Sequence, residues 1–429
     1  MNPRDLFKWM ASILRRTVGH ERFIPICISL GVALRLLWVL VIVATPISDF
    51  AWYHERGIAI SNGLGYTEDG EATAYWPVGY PAFLGVLYFL FGESFVVAKF
   101  ANVILSVPVL YLSYRVTGEL FRSETTGRVA LLLLALYPNH IAYSSIPSCE
   151  YLFLLLLMAG SYLLITMGES SRELAAGGLI FGLSCLVKPQ ALPIPIIVLL
   201  GLFLRSGKPR SVRRLVRKGF IVYLALIATI APWIVRNWLV FDDVVYISNN
   251  GGVTLMIGNN PYANGTYIPF EGKVASLLDL DGSEHEHEVD SKARDYAISY
   301  ILEHPVKTLS LWPMKLYYMY REDVEGVDWN ELSSDPESGS AEMFFWYYTG
   351  LAQNYYLFIL ALFLISLPLL WLRGNRPIPL VGVFVIAYFT AVSLATIGIS
   401  RFHFPLVPWM IGYVSALISM KLGPAANKP

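Results

Sequence analysis

The sequence predicts an all-α polytopic membrane protein, with about ten transmembrane helices of about 20 apolar residues each and interfacial helices in two extracytoplasmic loops. Three observations predict it. Hydrophobic residues make up 55% of the 429 and charged residues only 15%, and mean hydropathy is +0.52, which is outside the range of soluble chains. Apolar runs of bilayer length recur from end to end. Lys and Arg gather in alternate connecting loops, as orientation in a membrane requires. The 32 basic and 32 acidic residues balance, which argues against a nucleic-acid binder. Cys27, Cys149 and Cys185 lie in or beside apolar runs and do not form a disulfide framework.

The basic N-terminus (Arg4, Lys8, Arg15, Arg16, Arg22) precedes a first span too long for a signal-peptide core, so that span is expected to be retained. Spans are expected near 24–45, 94–115, 127–147, 149–167, 174–188, 190–204, 219–238, 350–371, 378–398 and 403–420. Arg115, Arg122 and Arg128 then share one loop. Arg205, Lys208, Arg210, Arg213, Arg214, Arg217 and Lys218 share another, and Arg373 and Arg376 mark a third. All fall on the side of the N-terminus, which positive charge assigns to the cytoplasm. The chain divides into an amino-terminal membrane module (1–240), a second outer loop (241–349) and carboxy-terminal helices (350–429). The run 79–92 is apolar but short, and 304–320 is aromatic with Lys307 and Lys315; both suit an interfacial position. The stretch 331–342 reads as a flexible loop tip. No internal repeat is evident.

The first outer loop, about 46–81, opens with Asp49 directly after an apolar span. A short amphipathic helix follows, with Ser48 or Asp49 as its expected cap, and Gly63 and Gly65 end it. Glu68, Asp69 and Glu71 precede an aromatic, proline-rich return at Tyr75–Pro81.

Charges beside or within spans cost several kcal/mol unless paired or solvated, so they are candidates for function. They are Arg35, Glu150, Lys188, Arg236, Arg401 and His403. In the expected topology all but Arg35 reach the outer boundary, as does Asp49. Two acids and three strong cations facing one cavity suit a phosphorylated lipid. Arg and Lys stabilise a departing phosphate, and a carboxylate deprotonates an incoming hydroxyl or amine. Glycosyl transfer needs both. The plainer reading of Arg236 or Arg401 alone is an interface anchor, and of Arg35 a buried pair holding helices together.

The chain resembles the GT-C fold glycosyltransferases that use polyprenyl-phosphate sugars, on the branch of the protein O-mannosyltransferases and lipid A aminoarabinose transferases. The resemblance rests on Arg35, then Asp49, Tyr53 and Ala59, then Gly63–Tyr66, Thr73-Ala74 and Pro77–Pro81. It continues through Leu136–Phe153, Gly182–Pro189, APWIVRNWLVF, Asn249–Gly265, His304-Pro305 with Lys315, and SRFHFPLVP. It implies an inverting transferase working on the extracytoplasmic face, with the base at Asp49; a bacterial inner membrane is expected because nothing in the sequence suggests retention in an internal organelle. Glu150, a charge at the start of a span, is the second catalytic candidate. Lys188, Arg401, His403, Lys315, Arg236, Tyr53 and Tyr80 are candidates for holding the lipid phosphate and sugar. A divalent metal is left open, with His54 and Glu55 as candidate ligands by proximity to Asp49. The acceptor is a lipid, a glycan or a protein. Where many relatives have two adjacent acids, Asp49 is followed here by Phe50, and a usual double proline reads Pro77-Val78.

In the second outer loop, Asn249–Gly265 has the residues of tight turns with exposed amides. Glu284–Glu288 (EHEHE) reads as a solvated acidic helix start rather than a metal site, with the helix running to His304-Pro305. The rival functions are a transporter or flippase of lipid-linked sugars, a polymerase or ligase with a diphosphate donor, and a non-catalytic assembly subunit. A transporter is expected to show repeats and midplane polar groups, whereas here the charges cluster at one surface.

Overall fold

A computed structural model describes residues 2–166, 170–205, 211–334, 339–373 and 378–422. Lys208, Arg210, Arg376 and residues 335–338 of the expected loop tip lie outside the described residues. Among the described residues the regular structure is helical apart from one two-stranded hairpin.

Helix α1 (Pro3–Gly19) leads into α2 (Phe23–Val41), the first long apolar helix. An extended link reaches α3 (Ser48–Ser61). The expected cap is absent: Ile47 occupies the N-cap position and no side chain caps the helix. Strands β1 (Thr67–Glu68) and β2 (Glu71–Ala72) form the hairpin, and α4 (Gly79–Phe91) packs back along α3. Ser94 caps α5 (Phe95–Phe121), and Ser123 caps α6 (Glu124–Ala135).

The span expected at 127–147 is interrupted. Pro138 restarts the chain as the short α7 (Pro138–Ala142), followed by a 3-10 turn at Tyr143–Ser145, and both are buried. Arg35 explains how this break is held. Its guanidinium donates to the carbonyls of Gly31 (2.9 Å), Ala135 (3.1 Å) and Leu134 (3.3 Å) and to Tyr151 Oη (3.0 Å). A cation at a helix C-terminus satisfies the orphan carbonyls there, so Arg35 joins α2 to the end of α6.

Then come α8 (Glu150–Thr166), α9 (Ser171–Val187), α10 (Ile194–Leu204) and α11 (Val212–Phe241). A capping box of Ser170 and Glu173 starts α9. Helices α9 and α11 pack closely because Gly178 and Gly182 carry no side chain. A Cβ at Gly178 would sit 2.3 Å from the Val222 carbonyl oxygen, and one at Gly182 2.5 Å from Thr229 Cβ.

Five further helices follow: α12 (Gly251–Gly258), α13 (Glu286–Glu303), α14 (Pro305–Ser310), α15 (Trp312–Tyr320) and α16 (Glu325–Ser333). The segment expected as one interfacial element at 304–320 is two helices, each with proline in its first turn. Helices α17 (Gly339–Arg373), α18 (Leu380–Ala395) and α19 (Val407–Leu422) complete the chain, with a 3-10 segment at Ser400–Leu406 before α19.

Among the described residues five helical stretches are long and apolar enough to cross a membrane: 23–41, 95–121, 212–241, 341–372 and 400–421. Four apolar stretches are shorter: 79–91, 150–166, 189–204 and 380–395. The shorter ones pack within the bundle, α10 on α11 and α18 and α8 on α5 and α9. Large apolar side chains such as Leu40, Phe89, Phe220, Leu364 and Trp371 are exposed, the surface a bilayer covers. The protein is a multi-pass membrane protein.

Candidate active site

The site forms where four chain breaks meet: the start of α3, the start of α8, the end of α9 and the 3-10 segment before α19. Each break places a charged residue at a helix end. Asp49 is the second residue of α3, Glu150 the first of α8, Lys188 the C-cap of α9, and Arg401 lies in the 3-10 segment. Proline follows or flanks three of them (Pro147, Pro189, Pro405), which ends regular helix and fixes the turn.

The four side chains join in one ion cluster. Arg401 Nη1 lies 3.0 Å from Asp49 Oδ2, and its Nε lies 2.7 Å from Glu150 Oε1. Lys188 Nζ donates to the same Glu150 oxygen at 3.0 Å. Glu150 has no exposed side-chain surface, whereas Asp49 keeps 30% of its own. One acid is thus a sealed counter-ion for two cations, and the other opens to the outside. The Arg401 guanidinium also lies over the Phe50 ring (5.6 Å), whose edge meets Trp329 of α16 at 5.1 Å. Phe50, where a second acid was expected from the resemblance, therefore supports the guanidinium from its face.

Tyr53 and Tyr80 sit behind this cluster. Both are buried, their rings meet edge to face at 5.4 Å, and Tyr53 Oη lies 3.9 Å from Cys149 Sγ. Burial raises the Tyr53 hydroxyl well above the usual phenol range, with Cys149, Asp49 and Glu150 adding and Arg401 opposing. It remains a neutral hydroxyl at any working pH.

Three expected members are elsewhere. Arg236 donates to the carbonyls of Thr73 (3.0 Å) and Tyr66 (3.1 Å) and holds the base of the hairpin. Its hydrogen bonds go to the hairpin region and to Asn237, and none goes to the four-residue cluster. Lys315 is fully buried against Asn259 Oδ1 (3.3 Å) and the Leu394 carbonyl (3.0 Å), and burial pushes its ammonium down to about 8. It ties α15 to α12 and α18. His403 does not join Arg401 in the cluster, although only Phe402 separates them in the 3-10 segment, because its side chain takes other partners. Its Nδ1 meets the Met319 carbonyl at 2.6 Å, its Nε2 lies 3.3 Å from Asp323 Oδ1, and Tyr320 and Tyr356 stack on its ring.

Asp323 is a residue the sequence reading missed. It accepts hydrogen bonds from Tyr137 Oη and Asn139 Nδ2, and its amide is bonded by Gln353. Burial would raise its carboxyl, but His403 and Tyr137 overcome that and hold it below the usual carboxylate range. Its signal was slight: Asn and Tyr in the apolar LYPNH run were unexplained polar groups awaiting a buried partner. Glu325, two residues on, was missed for the same reason. Its carboxylate accepts from Tyr143 Oη at 3.2 Å.

Glu286 overturns the solvated reading of EHEHE at one position. Its carboxylate accepts from Thr73 Oγ1 (2.9 Å), the Ala74 amide (2.6 Å) and Asn249 Nδ2 (2.9 Å). With Arg236 it fastens the first outer loop to the second. Glu286→Ala should therefore leave the Ala74 amide and Arg236 side of the loop looser, at a cost of about 1–3 kcal/mol for the unsatisfied donors. Hydrogen exchange across 66–75 checks this: faster exchange there, with no change in α5 or α8, is the expected result.

His54 and Glu55 do not make a metal site. His54 Nδ1 is engaged by Tyr88 Oη at 2.7 Å, and Glu55 is exposed and paired with Arg56. Among the described residues no three His, Cys, Asp or Glu side chains converge to hold an ion. The three cysteines are free and buried.

The helical bundle, its broken helices and its loop-borne ion cluster make up a polytopic membrane protein, and its fold is like that of solved membrane oligosaccharyltransferases. The likeness is to the oligosaccharyltransferase of Archaeoglobus fulgidus, solved with a tethered acceptor peptide. TM-score is 0.51 at 14% identity, over 92% of this chain and 48% of that one. The same organism's AglB, solved with an inhibitory peptide and a dolichol-phosphate, gives 0.51 at 15% identity over 92% and 50%. This chain thus spans about half the length of those proteins. ArnT from Cupriavidus metallidurans bound to undecaprenyl phosphate gives 0.47 at 11% identity, over 93% and 78%. Residues 76–235 match the family model described as dolichyl-phosphate-mannose-protein mannosyltransferase. No curated protein matches the sequence.

Proposed function

We propose that the protein is an inverting membrane glycosyltransferase that moves a sugar from a polyprenyl-phosphate donor to an acceptor on the extracytoplasmic face of a bacterial inner membrane. The observation that carries this reading is the single guanidinium of Arg401 bridging exposed Asp49 to sealed Glu150, with Lys188 beside it. The family match over residues 76–235 supports the donor class, and the alternating basic loops support the orientation.

In this reading the phosphate of the donor lies against Lys188 and Arg401. Glu150 holds both cations in place and stays out of substrate reach. Asp49 Oδ2 takes the proton from the acceptor hydroxyl or amine as that atom forms its bond to the sugar C1. The C1–O bond to phosphate breaks on the opposite face, and the electron pair leaves on the phosphate oxygen. Inversion follows from that in-line displacement. The cations offset the charge gathering on the leaving group, and no proton donor is needed there. Tyr53 and Tyr80 form the floor behind the cluster. The lipid tail lies along the exposed apolar helices.

The reading also separates two donor classes. With one ammonium and one guanidinium available, a lipid monophosphate sugar should be used and a lipid diphosphate sugar should not. Assays of the purified protein with both donor types check this. Transfer from the diphosphate alone would replace this reading with that of a polymerase or ligase.

A further inference from the structure

We propose that Lys99 is a positioning residue for Asp49: its ammonium holds the chain link that delivers the base to the ion cluster. This role rests on the reading of Asp49 as the base given above.

Lys99 sits in the second turn of α5 and is buried. A buried charge without a counter-charge is costly, and inside a membrane protein it marks a function by default. Among the described residues no carboxylate pairs with Lys99. Its Nζ donates to the Ala44 carbonyl at 2.9 Å and lies 4.6 Å from the centre of the Phe95 ring. Ala44 belongs to the extended link between α2 and α3, five residues ahead of Asp49.

The same link is held from its other side. The Thr45 amide and Oγ1 both donate to the Ser333 carbonyl of α16, at 3.1 and 3.0 Å. Between this hold and Asp49 the backbone passes through the left-handed region at Ser48 (φ 51°). A residue with a Cβ rests there only where its surroundings impose it, and no side chain caps α3. The grip on Ala44 and Thr45 therefore fixes where α3 begins, and with it the 3.0 Å contact of Asp49 Oδ2 with Arg401 Nη1.

The other acid is delivered in the same way. Asn102 lies one turn beyond Lys99 on the same face of α5. It has no exposed surface, and its Nδ2 donates to the Ile146 carbonyl at 2.6 Å, in the turn that leads to Glu150. One polar stripe on an apolar helix thus grips both chain breaks that supply the acids. Methionine has nearly the shape of lysine and carries no charge, so on stability alone it is the better residue at position 99. What lysine adds is a donor on a long arm, reaching a carbonyl that lies outside any helix.

The test compares Lys99→Met and Lys99→Arg with wild type, as the full chain in nanodiscs and in native membranes that contain the acceptor. Lys99→Met should unfold at the wild-type temperature or above it, because an unpaired buried charge is removed. Its kcat for transfer from a polyprenyl-monophosphate sugar should fall about tenfold to a hundredfold, as for a displaced catalytic group. The donor KM should stay within about threefold, because Lys188 and Arg401 keep their places and no hydrogen bond to the donor is lost. Lys99→Arg keeps a donor for the Ala44 carbonyl and should recover most of the transfer. Carbodiimide labelling read by mass spectrometry follows Asp49 without any acceptor. Its carboxylate should react faster in Lys99→Met than in wild type or Lys99→Arg, with exposed Glu55 as the reference. Thr45→Val loosens the link from its other side and removes no charge; it should move kcat and labelling in the same direction, and it serves if Lys99→Met does not fold. Wild-type kcat and labelling in these variants would overturn the proposal. Parallel losses of melting temperature, donor affinity and transfer would overturn it too, because they mark a residue that only supports the fold. Absence of transfer by the wild type would overturn the reading of the base itself, and this role with it.

Discussion

Asp49→Asn should reduce sugar transfer by about 10²–10⁴-fold, the range a positioned general base supplies, while donor lipid binding stays within about threefold of wild type, less than one ordinary hydrogen bond's effect. The amide keeps the shape of the carboxylate and can still accept from Arg401 Nη1, so the cluster is not dismantled. What it loses is the oxygen able to take a proton. Because Asp49 is 30% exposed and Glu150 is sealed, no second acid of the cluster can substitute. Turnover with a saturating donor, beside a separate binding isotherm, checks both halves. Activity near the wild-type level would remove Asp49 from the chemistry.

Arg401→Gln should cost about 3–5 kcal/mol of stability, the loss expected when one partner of a buried ion pair is removed. Glu150 would keep Lys188 but lose its 2.7 Å contact, and a carboxylate with no exposed surface cannot recover solvent. Donor affinity should fall with it. Arg401→Lys separates the two effects. An ammonium can reach one acid but not span both, so it should restore part of the stability and little of the transfer. Thermal unfolding of the two variants in the same detergent, with transfer rates alongside, makes the comparison.

The meeting of Asp49, Glu150, Lys188 and Arg401 was legible because charges that border apolar spans are costly and must find one another. That argument fails for residues whose surroundings are polar in sequence. Asp323 and Glu325 sit in a stretch that reads as an ordinary acidic loop, and only the packing around α16 and α7 buries Asp323 and partly covers Glu325. Arg236 and Lys315 show the opposite error. Each is a costly charge, but backbone carbonyls satisfy both, and a sequence does not announce which carbonyls a helix end leaves free. The helical class was plain from composition. The interruption after Ala135 was less so, since Pro138 lies within an otherwise continuous apolar run.

In the resting arrangement the Oδ2 lone pair of Asp49 points at Arg401 and is closed to an incoming hydroxyl. In the proposed function a lipid phosphate entering beside Lys188 competes for that guanidinium and frees Oδ2 as well. On the proposed reading the arriving carrier loosens the tether on this acid, so that loading the donor readies the side on which the recipient enters.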